Sequence, residues 1–263
     1  MIHRLSYRLN VLGSLLLLVM LFCGSLFSQS KSSKVESKGV TYNSGNEKVS
    51  GYFSKPKSKG TFPGVIMIHE WWGLNDWVKA MADSLAAEGY AVLAVDLYRG
   101  KVGKTREEAT ELMQGTPKDR VSADLSAAYA FLNTLPETKG RKIGSVGWCM
   151  GGGYSLTAAN LLGEKLSACI ICYGRVTTES GFLKPVAAPV LGIFGGKDRG
   201  IPVDSVKAFA AALNASGRSA ELAVYDSSGH AFMNPNNERG YNATDANDAW
   251  SKTLTFFATR LKK

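Results

Sequence analysis

The sequence predicts an α/β fold, with a mostly parallel central sheet, helices on both faces and an N-terminal antiparallel hairpin. Two patterns predict it. From residue 64 onward, short apolar runs alternate with amphipathic segments of helical period, as right-handed crossovers between parallel strands require. Ahead of them, two alternating stretches flank a Gly-containing turn, which reads as a hairpin. The chain has 263 residues, 45% apolar and 20% charged. That suits one packed core and argues against disorder.

Residues 1–30 read as a signal peptide, leaving 31–263 as a single domain. Arg4 and Arg8 form the positive start, Val11–Phe22 the short apolar core, and Gly24–Ser30 the small and polar end. The apolar run is short for a bilayer of about 30 Å, so no stable membrane span is expected after cleavage. Export, to a bacterial periplasm, is the expected localisation. Lipid attachment at Cys23 is the weaker alternative, because bulky Phe22 stands where a small residue is wanted.

The hairpin is expected over Val40–Tyr42 and Lys48–Phe53, around Asn43-Ser-Gly-Asn46, with a polar turn over Lys55–Gly60. Strands follow at Gly64–Ile68, Ala91–Val95, Lys142–Gly147, Ala168–Cys172, Val190–Phe194 and Glu221–Tyr225. Helices are expected at Trp77–Glu88, Arg120–Leu135, Tyr154–Leu162, Val203–Ala215 and Asp245–Leu261. Lys101–Pro117 breaks the rhythm with a short charged helix at Arg106–Gln114. It follows the strand end where open α/β sheets place ligands, and reads either as a small cap or as a surface connection.

The formal net charge of +9 is spread along the chain without a long basic run, so nucleic acid is not an expected partner. Histidine occurs only at positions 3, 69 and 230, too sparse for a typical zinc cluster. No phosphate-binding glycine loop follows the first parallel strand. No metal or organic cofactor is expected. Cys169 and Cys172 lie three apart in an apolar strand, facing opposite sides, and are expected as buried thiols rather than a disulfide.

Cys149 is different. Gly147-Trp-Cys-Met-Gly151 follows a strand and opens a helix, the setting of a nucleophile elbow with cysteine where serine is usual. A sharp turn lifts the nucleophile above the sheet, and glycines on either side let backbone approach closely. The helix N-terminus favours a thiolate and offers N–H groups to an oxyanion. Two partners follow in the required order: Asp198 after the strand ending at Phe194, and His230 after the strand ending at Tyr225. Asp226 is a competing acid, but sits close to His230 in sequence and on the wrong loop for that order. Glu70, after the strand Gly64–Ile68, could act as a general base or tune the thiol. The backbone N–H groups of Trp71 and Met150 are assigned to the oxyanion hole.

The segments His69-Glu-Trp-Trp-Gly73-Leu-Asn75, Asp96-Leu-Tyr-Arg-Gly100, Gly147-Trp-Cys-Met-Gly-Gly152, Gly196-Lys-Asp198 and Gly229-His-Ala-Phe232 occur in that order. Together they resemble the dienelactone hydrolase family from about Val40 to the C-terminus. The resemblance implies an α/β-hydrolase fold, a Cys149–Asp198–His230 triad, and hydrolysis of a small carboxylic ester or lactone through a thioester. It also implies that Glu70 pairs with the thiol in the resting enzyme and that Arg99 meets a substrate carboxylate. Tyr98, Trp72 and Asn234 complete the expected substrate wall. One departure stands out: Asn234 occupies the place of a second arginine, and a neutral amide cannot grip carboxylate bidentately. A non-catalytic binding protein on the same fold and a thiol redox protein are the competing readings. Oligomeric state is not legible in the sequence.

Overall fold

The structure, a computed structural model, describes residues 34–263, so the expected signal peptide and Cys23 lie outside the described residues. Strands β1 (Val35–Ser44) and β2 (Glu47–Pro56) form an antiparallel hairpin. They extend further in both directions than the alternation alone predicts, with Tyr42, Val49 and Phe53 buried. Gly45 supplies the left-handed conformation the tight turn needs (φ +58°).

The parallel strands β3 (Gly64–Ile68), β4 (Ala91–Val95), β5 (Ile143–Trp148), β6 (Ala168–Cys172), β7 (Val190–Gly195) and β8 (Ala220–Tyr225) complete one eight-stranded sheet. Its order is β1-β2-β4-β3-β5-β6-β7-β8. Every residue of β3 to β7 is buried, which is why these strands read as continuous apolar runs rather than alternations. Edge strand β8 is only partly covered.

Helices α1 (Asp76–Ala87), α2 (Arg106–Gln114), α3 (Lys118–Thr134), α4 (Met150–Leu162), a single turn α5 (Ser180–Leu183), α6 (Val203–Ala215) and α7 (Ala243–Leu261) connect or follow the strands. The sheet separates two apolar clusters. One holds Ile66, Leu93 and Leu156 with helices α3, α4 and α6; the other holds Val65, Trp148 and Phe257 with α1 and α7. Cys169 belongs to the first and Cys172 to the second, and both thiols are free. Burial pushes the Cys169 thiol up to about 11 and that of Cys172 well above its ordinary value, so neither is an available thiolate at neutral pH.

The helix opening at Met150 rather than Tyr154 matters most. Gly-Gly-Gly lowers helix propensity, yet here it packs the first turn of α4 against the sheet. A Cβ on Gly151 would strike the carbonyls of Ile68 and His69, and one on Gly147 would strike Gly151 itself. Close packing overrides propensity and brings the start of α4 beside the ends of β3 and β5. Among the described residues, no helix is long and apolar enough to cross a membrane.

Candidate active site

Cys149 occupies the turn between β5 and α4 with φ +54° and ψ −118°, a conformation that costs a non-glycine residue energy. Its own N–H donates to Cys172 O (3.0 Å), and its carbonyl accepts from the N–H groups of Gly152 and Gly153. These bonds hold the strained turn and leave the side chain projecting from the C-terminal edge of the sheet. The sulfur lies 3.1 Å from His230 Nε2.

The histidine stands in the loop after β8. Asn237 Nδ2 donates to the carbonyls of His230 and Ala231, and Ala231 adopts a positive φ (+57°), so that short turn is shaped to aim the imidazole. The N–H of Lys197 donates to Ser228 O at 2.9 Å, tying the loop after β7 to it. Asp198, on that loop, meets His230 Nδ1 through Oδ2 at 2.6 Å, while its Oδ1 accepts from the N–H groups of Gly200 and Ile201. Burial alone would raise the Asp198 carboxyl, but His230 and the two N–H groups outweigh it and hold it below its ordinary value. Burial likewise opposes charge on His230, yet Asp198 and Cys149 together raise it to about 10. Asp226 takes no part in this chain of bonds among the described residues.

Glu70 lines the same cavity as the sulfur. It is only 2% exposed, and burial pushes its carboxyl up to about 7 despite the opposing pull of Asn234 and His230. Asn234 Nδ2 donates to Oε2 at 2.6 Å, while Asn234 Oδ1 accepts from the N–H of Asn236. The buried Tyr173 hydroxyl faces the same carboxyl, but neither it nor Glu70 Oε1 completes a hydrogen bond of good geometry. Tyr173 itself has φ +38° and sets its ring edge-on against His230. No hydrogen bond joins Glu70 to Cys149 among the described residues. The resting Glu70–thiol pairing that the resemblance implies is therefore not the arrangement seen; Asn234 holds the carboxylate and His230 the sulfur.

The loop carrying Glu70 is fixed from within. His69 Nδ1 donates to Glu70 O at 2.6 Å, and its Nε2 accepts from the N–H of Leu97 at 3.3 Å. That pair of bonds requires the neutral ring protonated at Nδ1, consistent with burial lowering its pKa. The N–H groups of Trp71 and Met150 donate to no backbone or side-chain acceptor among the described residues, leaving both available to an oxyanion.

A cavity of about 590 Å³ opens above these groups, within the range of small-molecule sites. Glu70, Trp71, Trp72, Cys149, His230 and Asn234 line it as the sequence predicts. Two predicted wall residues do not. Tyr98 is buried, with its hydroxyl on Met150 Sδ at 3.2 Å and its ring against His69. Arg99 is turned away: its guanidinium meets Asp124 (2.6 and 3.1 Å) and Glu47 (2.9 Å). Those two acids, distant in sequence on α3 and the hairpin, have already neutralised the cation expected to meet substrate.

Other lining residues escaped the sequence reading: Asn75, Gly103, Arg106, Ala231, Asn236 and Asn237. The run Asn234-Pro-Asn-Asn237, so close after His230, was the available signal for two of these positions. Gly103 and Arg106 show that the 101–117 segment supplies one wall of the cavity, anchored by the N–H of Gly103 on Trp72 O (2.9 Å). Among the described residues, no cluster of three or more His, Cys, Asp or Glu side chains could hold a metal ion.

A model of the dienelactone hydrolase family matches residues 49–261. "Protein usf" of Aquifex pyrophilus is 33% identical over 224 residues, covering 83% of this chain and 96% of that protein. A Methylorubrum extorquens protein named "Putative carboxymethylenebutenolidase" is 31% identical over 224 residues, covering 80% and 76%. Among solved structures, a dienelactone hydrolase from Klebsiella pneumoniae, so described provisionally, superposes with a TM-score of 0.77 at 28% identity over 85% of this chain and 98% of its own. A dienelactone hydrolase-like promiscuous phosphotriesterase from metagenomic libraries superposes at 0.79 with 25% identity, over 87% and 99%.

Proposed function

Because this chain belongs to the dienelactone hydrolase family and is a carboxylic ester or lactone hydrolase, we propose that it works through a Cys149 thioester with His230 and Asp198. The observation that carries the reading is the unbroken chain Cys149 Sγ–His230 Nε2 (3.1 Å) and His230 Nδ1–Asp198 Oδ2 (2.6 Å), opening on the cavity.

The cysteine sulfur attacks the acyl carbon, and the carbonyl oxygen becomes an anion facing the N–H groups of Trp71 and Met150. As the tetrahedral adduct collapses, the C–O bond to the leaving group breaks, and His230 gives that oxygen its proton. In a lactone the leaving oxygen stays tethered to the acyl group. Water then enters, His230 takes its proton, and attack on the thioester releases the carboxylic acid and the thiolate. Asp198 keeps the imidazole in the orientation and tautomer that both transfers use. Glu70 places a buried carboxyl beside the sulfur's path and sets the local field there.

Buried, poorly ionised Cys169 and Cys172 on opposite sheet faces offer Cys149 no resolving thiol, which disfavours a redox function. Hydrolysis of p-nitrophenyl acetate by the full chain tests the reading. Activity should be present in wild type and absent from Cys149→Ala; a variant that retained it would remove the thiol from the mechanism. We further propose export, tested by whether the N-terminal segment is missing from protein recovered outside the cytoplasm.

A further inference from the structure

The hydrolase reading leaves open what the cavity is built to hold, and its walls are unusual in chemistry. Besides the reacting groups, it is lined by two indoles and several carboxamides, with a single Lys or Arg side chain among the lining residues, Arg106.

The carboxamides retain free hydrogen-bonding capacity. Asn75 spends its Oδ1 capping α1, on the N–H of Val78 (3.1 Å), which leaves its Nδ2 donor unused. Asn237 spends Nδ2 on the His230 and Ala231 carbonyls, which leaves its Oδ1 acceptor unused. The Asn236 side chain makes no hydrogen bond among the described residues. Trp71 and Trp72 stand with ring centroids 4.9 Å apart, tilted at 58°, and form the apolar side of the same cavity.

Neutral donors and acceptors in one cavity with aromatic rings suit a ligand with hydroxyl groups around a ring that presents C–H bonds above and below. They suit an anion poorly. Arg106 is exposed and lies over the Trp71 ring at 5.6 Å, where solvent screens its charge. Of the other charge-bearing wall residues, Glu70 has the wrong sign for a carboxylate, and His230 spends both ring nitrogens on Asp198 and Cys149.

We propose that the substrate class is an acylated sugar or polyol: a neutral, polyhydroxylated ester whose ring lies against Trp72. Asn75 Nδ2, Asn236 Nδ2 and Arg106 donate to its hydroxyls, and Asn237 Oδ1 accepts from one. The proposal rests on the hydrolase reading and specifies its substrate. The acyl C–O bond breaks as Cys149 is acylated, the sugar oxygen leaves with the proton from His230, and water later releases the acyl group as a carboxylic acid.

The test compares kcat/KM of the full chain for a mono-O-acetylated methyl hexoside, for cyclohexyl acetate and for monoethyl succinate, with p-nitrophenyl acetate as reference. Each neutral hydrogen bond gained is a factor of a few, so two or three should favour the hexoside over cyclohexyl acetate by about tenfold or more, chiefly through KM. Asn75→Asp keeps the helix-capping oxygen and removes the donor; Asn236→Ala removes an amide with no structural partner. Each should shrink that preference severalfold. Cyclohexyl acetate turned over as well as the hexoside would overturn the proposal. A preference for monoethyl succinate would also overturn it and make Arg106 an anion anchor. In either case, turnover of p-nitrophenyl acetate keeps the hydrolase reading intact. If no ester is turned over, both fall.

Discussion

Two sets of polar groups meet at the cavity that holds Cys149, and they are satisfied to different degrees. On one side, His230 and Asp198 use every expected bond: sulfur to Nε2, Nδ1 to Oδ2, and two backbone N–H groups on Oδ1. Here the half-open histidine, with a side chain 41% exposed, can exchange protons with water. On the other side, Glu70, Asn234 and Tyr173 are buried with two oxygens left without partners, Glu70 Oε1 and the Tyr173 hydroxyl. A dry, under-satisfied carboxyl is expensive to ionise, whereas a well-bonded aspartate is cheap to keep charged. The same chain thus holds one carboxyl ionised, behind His230, and another with its pKa raised to about 7 in the cavity wall, as division of labour between acids requires.

The largest effect should come from breaking the satisfied side. Asp198→Asn removes the anion that raises His230, and kcat should fall by about two to four orders of magnitude. The alkaline limb of kcat/KM, governed by the imidazolium near pH 10 in wild type, should move to lower pH; an unmoved limb would separate His230 from the ionisation that matters.

Breaking the under-satisfied side should read out in stability. Glu70 titrates at about 7 in the fold against an ordinary 4.5, so the folded state holds its proton more tightly. Its contribution is fully present below about pH 4.5 and is lost as pH rises through 7, on the order of 3 kcal/mol in all. Glu70→Gln should erase that decline, making the variant the more stable of the two at pH 8. Urea midpoints measured from pH 4 to 8 decide it, and parallel curves would reject a buried, costly carboxylate.

A smaller effect belongs to Arg99. Arg99→Ala leaves buried Asp124 without its guanidinium, costing about 2 kcal/mol in urea unfolding. KM for monoethyl succinate should not change; a raised KM would return Arg99 to the substrate wall. The smallest is Tyr173→Phe, which removes a hydroxyl without a good partner and should shift stability by no more than about 1 kcal/mol. A larger loss would mean that the hydroxyl bonds Glu70 after all.

The parallel core and the order Cys149, Asp198, His230 were legible because each depends on local sequence. Apolar runs mark buried strands, and each candidate group follows a strand end by a few residues. Val203–Ala215 and Arg106–Gln114 match their helices residue for residue. Side-chain direction was not legible. Arg99 and Arg106 lie seven residues apart, yet one is gripped by Glu47 and Asp124 while the other lines the cavity. That outcome depends on α3 and the hairpin, whose approach no local pattern encodes. Asn234 was visible as a departure from the family pattern, but its grip on Glu70, 164 residues away, was not. The helical pattern was legible only from Tyr154, whereas α4 runs from Met150, because its first turn carries glycines that pack on the ends of β3 and β6 and show no helical period of their own.

The most direct measurement is intact-protein mass after rapid quenching of the full chain with p-nitrophenyl acetate, followed by peptide mapping. The account predicts one acetyl group, carried by the peptide containing Cys149, formed before steady-state turnover and absent from Cys149→Ala. An acetyl group on another residue, or steady turnover in Cys149→Ala at the wild-type rate, would contradict it.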